Sequence, residues 1–245
     1  MAASSPHADP ASAALDVASG ALATDHGALN LSDGALNLTD SQRRVIHMAV
    51  SLCLGYPDAH LHEQATAVRE ALADVPPVIQ ACFEPLLGRL MSSDWATLQS
   101  LYVETFDTSR RRALHLTYYA AGDTRRRGHA LVGFTHAYQA VGFDPVMNEL
   151  PDYLPMVLEL SALAEDPESA VVVAALLAAH REGLEVLRQA LITYHSPWAG
   201  PVEAVCLSLG PVDAETAERV AALITEGPPA ETVGIETFMT EGSLI

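Results

Sequence analysis

Six of the thirteen arginines fall within 18 residues, as the triplets Arg110-Arg111-Arg112 and Arg125-Arg126-Arg127. Glu104, Asp107 and Asp123 lie between or beside them. Consecutive helical residues rotate by roughly 100°, so each triplet can turn only one or two guanidiniums inward. Two chemistries suit this pattern. One is structural pairing with Asp107 and Asp123, which fixes geometry more than it adds stability. The other is a clamp for an anion or carboxylate, or part of a face that meets a partner. Five of the seven tyrosines, Tyr102, Tyr118, Tyr119, Tyr138 and Tyr153, fall in the same region. Tyrosine serves both the core and recognition surfaces.

Other chemistries find little support. His129 and His136 share a helix face, yet no cysteine or carboxylate accompanies them at ligand spacing. His60 and His62 point to different faces, and H-E-x-x-H is absent. There is no G-x-S-x-G, P-loop or G-x-G-x-x-G, and no D-D-x-x-D run. Cys53, Cys82 and Cys206 occupy apolar helix positions and read as core residues. Their odd number and wide spacing make a poor disulfide framework, and a reducing cytoplasm suits them.

The 245-residue chain is 49% hydrophobic and 18% charged, a globular composition. Its net charge is -18, and all thirteen basic side chains are arginine. Such acidity argues against nucleic-acid binding and against an anionic membrane surface. The ends carry most of it: residues 1–40 contribute -5 and residues 196–245 contribute -7. The N-terminus lacks the positive start and apolar run of a secretory signal. The longest apolar run, at 170–179, covers only ~15 Å as a helix, too short to cross a membrane.

These residues must be positioned by helices. Residues 1–38 are rich in Ala, Ser, Asp and Gly, carry a short tandem copy (GALNLSD, then GALNLTD), and read as a disordered extension. A capping box at Thr39 and Gln42 opens the first helix, and Gly55 stops it. Periodicity then predicts a second helix from Leu61 to Leu72. A third runs through Ile79 to Leu90, kinked or split by Pro85. A fourth is capped by Asp94, a short fifth spans 111–120, and a sixth spans 124–141. A seventh opens on Asp152 as its N-cap, with Pro155 in the first turn. Residues 168–194 read as one long helix, Gly200 and Pro201 interrupt a weaker stretch, and 213–225 form an amphipathic helix. No run alternates with period two. The fold class is therefore all-α: a single bundle of about eight to ten helices over 39–226, followed by an acidic tail at 227–245.

Within this frame, residues 102–155 carry an ordered set of motifs: Y-V-x-T-F-D, the first arginine run, L-T-Y-Y, G-D-T-R-x-R-G and E-L-P-D-Y-L-P. The set resembles the NarJ family of respiratory nitrate reductase assembly chaperones, the so-called delta subunits, within the TorD-like group. A weaker likeness extends from about 42 to 210 and begins with L-x-L-G-Y-P-D at 52–58. Glu159-Leu160 stands where the family usually writes E-F.

The resemblance implies a cytoplasmic, all-helical, non-enzymatic protein without a cofactor of its own. It implies binding to the N-terminal leader-like peptide of the apo catalytic subunit, an unfolded-protein-binding role in nitrate metabolism. That subunit is held while molybdenum cofactor and iron–sulfur clusters are inserted, before it docks at the membrane. Molybdenum cofactor delivery proteins are further partners under this reading. A helix-in-groove mode fits a short amphipathic peptide, and an acidic chaperone complements a basic leader. Carried over residue by residue, the peptide site comprises Tyr102, Phe106, Asp107, Asp123, Arg127, Tyr138, Glu149, Pro151, Asp152 and Tyr153. Gly128 is expected to allow close helix approach, and the loop around Asp152 to act as a hinge. The competing readings are a chaperone for another molybdoenzyme and, in a different class, a helical metal-dependent enzyme using His129 and His136.

Overall fold

The structure, a computed structural model, describes residues 36–145 and 149–210. Most of the expected N-terminal extension, the 213–225 helix and the acidic tail lie outside the described residues. Ten α-helices are present among the described residues, with no strand. They are α1 (Asp40–Leu54), α2 (Leu61–Ala71), α3 (Pro77–Ser92), α4 (Trp95–Phe106), α5 (Leu116–Ala121), α6 (Arg125–Ala140), α7 (Leu154–Leu163), α8 (Pro167–Ala179), α9 (Arg181–Thr193) and α10 (Ala199–Ser208). The all-α expectation holds.

Local signals explain most boundaries. Thr39 and Gln42 form a reciprocal capping box at α1, and Asp94 accepts the Thr97 amide to start α4. Gly122 ends α5 with φ +56, a conformation that glycine adopts without a Cβ clash. Three expectations need correction. Pro85 neither splits nor ends α3, because it sits on the exposed side, where water can satisfy the carbonyl it frees. The stretch 168–194 is two helices, broken at His180 (φ -109, ψ 16). Gly200 and Pro201 do not interrupt a helix; they open α10, where a missing N–H costs nothing.

The helices pack in two groups. α1 lies along α7, and α10 sits against α1, α3 and α9. α5 packs between α6 and α9, and α6 also meets α8. The core runs through both groups and reaches back to Leu38. Gly200 permits the tightest crossing: a Cβ there would stand 1.9 Å from the Cys82 carbonyl oxygen of α3. Gly128 has open space around it, so the expected close approach at that position is not found.

Several polar groups buried between helices find partners. His47 of α1 bridges Ser161 of α7 and Ser208 of α10, each at 2.8 Å. The Ser208 hydroxyl donates to the Val205 carbonyl, so His47 Nε2–H donates to Ser208, and Nδ1 accepts from Ser161. Burial, with Arg43 nearby, lowers the His47 pKa to about 4. The Trp198 indole N–H donates to the Cys53 carbonyl at 2.9 Å. Burial pushes the Cys53 thiol up to about 12, in keeping with a core cysteine.

Candidate functional site

The residues singled out in the sequence gather around the segment 149–154, which runs antiparallel to the segment before α5. Leu116 N–H donates to the Asp152 carbonyl at 3.0 Å, and Leu154 N–H donates to the Leu114 carbonyl at 2.7 Å. His115 and Tyr153 thereby form an isolated β-bridge. This loop is tied to the start of α5. The paired amides and carbonyls hold it against α5.

Asp152 makes the junction. Its side chain is 0% exposed. The carboxylate accepts the Thr117 amide at 3.1 Å, the Thr117 hydroxyl at 2.5 Å and His115 Nδ1–H at 3.2 Å. Arg127 stands 4.0 Å away and also donates from Nε to the Thr117 hydroxyl at 3.3 Å. Burial alone would raise the Asp152 pKa, but the hydrogen bonds from His115 and Thr117 outweigh it and hold the carboxyl below its ordinary value. The expected N-cap role for α7 is therefore corrected. Tyr153 is the N-cap residue of α7, and Asp152 instead satisfies the first turn of α5.

Asp123 extends this network outward, 3.8 Å from Arg127 and 3.4 Å from Arg110. Of the two arginine readings, pairing with Asp123 is realised. Asp107 has no ion pair among the described residues. Arg112 donates to the Thr105 carbonyl and lies 3.8 Å above the Tyr194 ring.

An aromatic cluster adjoins the loop. Tyr102 and Phe106, one turn apart on α4, have ring centroids 4.7 Å apart. Both pack on Trp198, at 5.7 and 5.4 Å. Tyr56, 53% exposed, stands edge-on to Tyr102 at 5.4 Å. The Tyr102 hydroxyl donates to the Leu54 carbonyl at 2.8 Å and meets the Tyr153 hydroxyl at 3.2 Å. Burial chiefly raises both phenol pKa values, and the nearby charges of Asp107 and Glu149 add to the rise. Asp107 and Glu149 themselves are exposed. The result is a partly exposed Tyr153 near two carboxylates, and an exposed Tyr56, both against the Tyr102–Phe106–Trp198 cluster.

The structure thus divides the ten expected site residues. Asp107, Glu149, Pro151 and Tyr153 reach the surface near one another or in one loop, whereas Tyr102 and Phe106 are buried supports beneath them. Asp123, Arg127 and Asp152 form the polar lock. Tyr138, on α6, is buried, and its hydroxyl has no hydrogen-bond partner among the described residues. Tyr56, His115, Thr117 and Trp198 were not singled out individually. Thr117, a hydroxyl inside the apolar L-T-Y-Y run, was the available signal. His129 and His136 are exposed on α6, and no three metal-ligating side chains converge among the described residues. No helix among the described residues is long and apolar enough to cross a membrane.

Comparisons with known proteins bear on the same region. A family model described as nitrate reductase delta subunit matches residues 59–204, more than half of the chain. The nitrate reductase-like protein NarX of Mycobacterium tuberculosis is 35% identical over 162 residues, 66% of this chain and 24% of that protein. The probable nitrate reductase molybdenum cofactor assembly chaperone NarJ of Bacillus subtilis is 31% identical over 128 residues, 51% of this chain and 68% of its own length. The nitrate reductase molybdenum cofactor assembly chaperone NarJ of Escherichia coli is 35% identical over 126 residues, 50% of this chain and 52% of its own. The chain therefore spans about a quarter of the first relative and about half to two thirds of the others.

Proposed function

The chain belongs to the nitrate reductase delta subunit family, and on that premise we propose that it is a cytoplasmic assembly chaperone, not an enzyme, for a respiratory nitrate reductase. Its client is the apo catalytic subunit, engaged through the N-terminal leader-like peptide. Holding that peptide keeps the subunit from the membrane until molybdenum cofactor and iron–sulfur clusters are in place.

The observation that supports this reading is the partly exposed Tyr153 near the charges of Asp107 and Glu149, with the exposed Tyr56 edge-on to the adjoining Tyr102. An amphipathic, basic peptide helix presents an apolar face and cations together. The tyrosine edges and Leu150, also exposed, suit the apolar face, and the two carboxylates suit the cations. Amphipathic tyrosines give large contact area at low entropic cost. The Asp152 lock keeps the loop in place before the peptide arrives, so little ordering cost remains at binding.

The test is the metal content of the client. The catalytic subunit is purified from host cells with and without this chain, and its molybdenum is measured per polypeptide. The reading requires a clear drop without the chain and recovery on its return. Equal molybdenum in both preparations would contradict it.

A further inference from the structure

The first arginine triplet divides between two places. Arg110 meets Asp123 at 3.4 Å. Arg111 and Arg112 line a separate cleft of about 310 Å³, between the turn 110–112 and the last turns of α9. Ser109, Val186, Gln189, Ala190, Thr193 and Tyr194 complete its wall. That size lies at the lower end of small-molecule sites.

Charge selects the occupant. No carboxylate lines the cleft, in a chain of net charge -18. Glu104 stands nearby, with its carboxylate on the Tyr194 hydroxyl at 2.7 Å, but it is not part of the wall. Glu182, one turn before Val186 on α9, is not part of it either. Neither Arg111 nor Arg112 has an ion pair among the described residues. Every acceptor of Arg112 is uncharged: the Thr105 carbonyl at 2.6 Å, the Glu104 carbonyl at 3.3 Å and the Thr108 hydroxyl at 3.4 Å. These bonds use Nε and one Nη, and the Tyr194 ring lies against the guanidinium face. The other Nη stays available, on a group already held in one plane. The carbonyls that end α9 are shielded from an anion. Those of Ala190, Leu191 and Ile192 accept the amides of Tyr194, Ser196 and His195.

We propose that this cleft binds the phosphate monoester of a small organic molecule. Its two guanidiniums match the charge of about -1.5 to -2 that a phosphate monoester carries near pH 7. A monocarboxylate would leave one of them unmatched. Arginine forks also fit phosphate oxygens bidentately. Ser109 and Gln189, whose side chains have no hydrogen-bond partner among the described residues, add neutral donors. Val186 and Ala190 supply an apolar wall for the organic part. None of the lining residues belongs to the peptide site around Tyr153.

The test is calorimetric titration of the full chain with phenyl phosphate, beside inorganic phosphate and benzoate. Phenyl phosphate should bind with a Kd of about 1 mM or tighter. Benzoate, with a single charge, should bind about ten-fold more weakly. Arg111→Gln should weaken phenyl phosphate by about ten-fold or more, because one of two charged forks is lost. Gln189→Glu should do at least as much, by placing a carboxylate in the wall. Arg111 and Gln189 are exposed, so both variants should melt as the wild type does. Absence of phenyl phosphate binding would overturn the proposal. So would equal affinity in the wild type and the two folded variants, which would mark an adventitious ion only. Benzoate binding as tightly as phenyl phosphate would overturn the phosphate assignment, and inorganic phosphate binding as tightly would overturn the organic one.

Discussion

Asp152 accepts both the amide and the hydroxyl of Thr117, 35 positions earlier in the chain, at 3.1 and 2.5 Å. A side chain that looks like the start of α7 therefore completes the start of α5. That bond ties the E-L-P-D-Y-L-P loop to the L-T-Y-Y helix, and Arg127 of the G-D-T-R-x-R-G motif adds the third strand of the tie. Three motifs separated in sequence are one structural unit.

Asp152→Ala leaves the Thr117 amide, His115 and Arg127 without their shared acceptor. It should cost about 2–4 kcal/mol of folding stability, the range for breaking a buried charged network. Urea unfolding measures this directly. A variant as stable as the wild type would remove Asp152 from its role as the tie.

Stability should fall with acid in two stages. His47 has a folded pKa of about 4 against the usual 6.5. Between those values the unfolded chain takes a proton that the folded chain refuses. Its stabilisation is thus complete above 6.5 and is lost as pH falls toward 4, by about 3 kcal/mol. Asp152, with its folded pKa held below the ordinary carboxylate value, adds stability above that value, and this is lost at still lower pH. Chemical denaturation across pH 3–8 follows both stages. His47→Gln should flatten the first; a slope unchanged in that variant would refute the assignment.

The two glycines make a contrast. Gly200→Ala drives a Cβ into the Cys82 carbonyl at 1.9 Å and should destabilise by about 1–3 kcal/mol through overpacking. Gly128→Ala meets no atom within 4 Å and should stabilise by about 0.5–1 kcal/mol through helix propensity. Thermal melts of both variants decide it, and a neutral Gly200→Ala would contradict the close crossing of α10 and α3.

Much of this architecture could be read from local chemistry. The capping box at Thr39, the Asp94 cap and the Gly122 stop each act within a few residues, so the sequence displays them directly. The tie between Asp152 and Thr117 does not: capping preference is read along the chain, while the donor that claimed this carboxylate comes from another helix. The break at His180 was hidden because apolar residues continue on both sides of it. The role of Trp198 is not legible in the sequence either. Its contacts with Tyr102, Phe106 and the Cys53 carbonyl join residues 53, 102 and 198, which no spacing connects. The motif set marks this loop, but only the packing separates the surface members, Glu149 and Tyr153, from the buried supports, Tyr102 and Phe106.

If Asp107 and Glu149 meet the cations of a leader peptide, the double variant Asp107→Asn, Glu149→Gln should bind it about 0.5–2 kcal/mol more weakly. Both side chains are exposed, so the melting temperature should not change. The salt dependence of binding should shrink along with the affinity. Wild-type affinity and salt slope in the double variant would move the peptide site elsewhere on the bundle.

The most direct test is calorimetric titration of the chain with the N-terminal peptide of the nitrate reductase catalytic subunit, at low and high salt. Binding should be micromolar or tighter, about -8 kcal/mol or better, and should weaken as salt screens the carboxylates. No heat of binding at either salt, from a chain that is folded by circular dichroism, would contradict it.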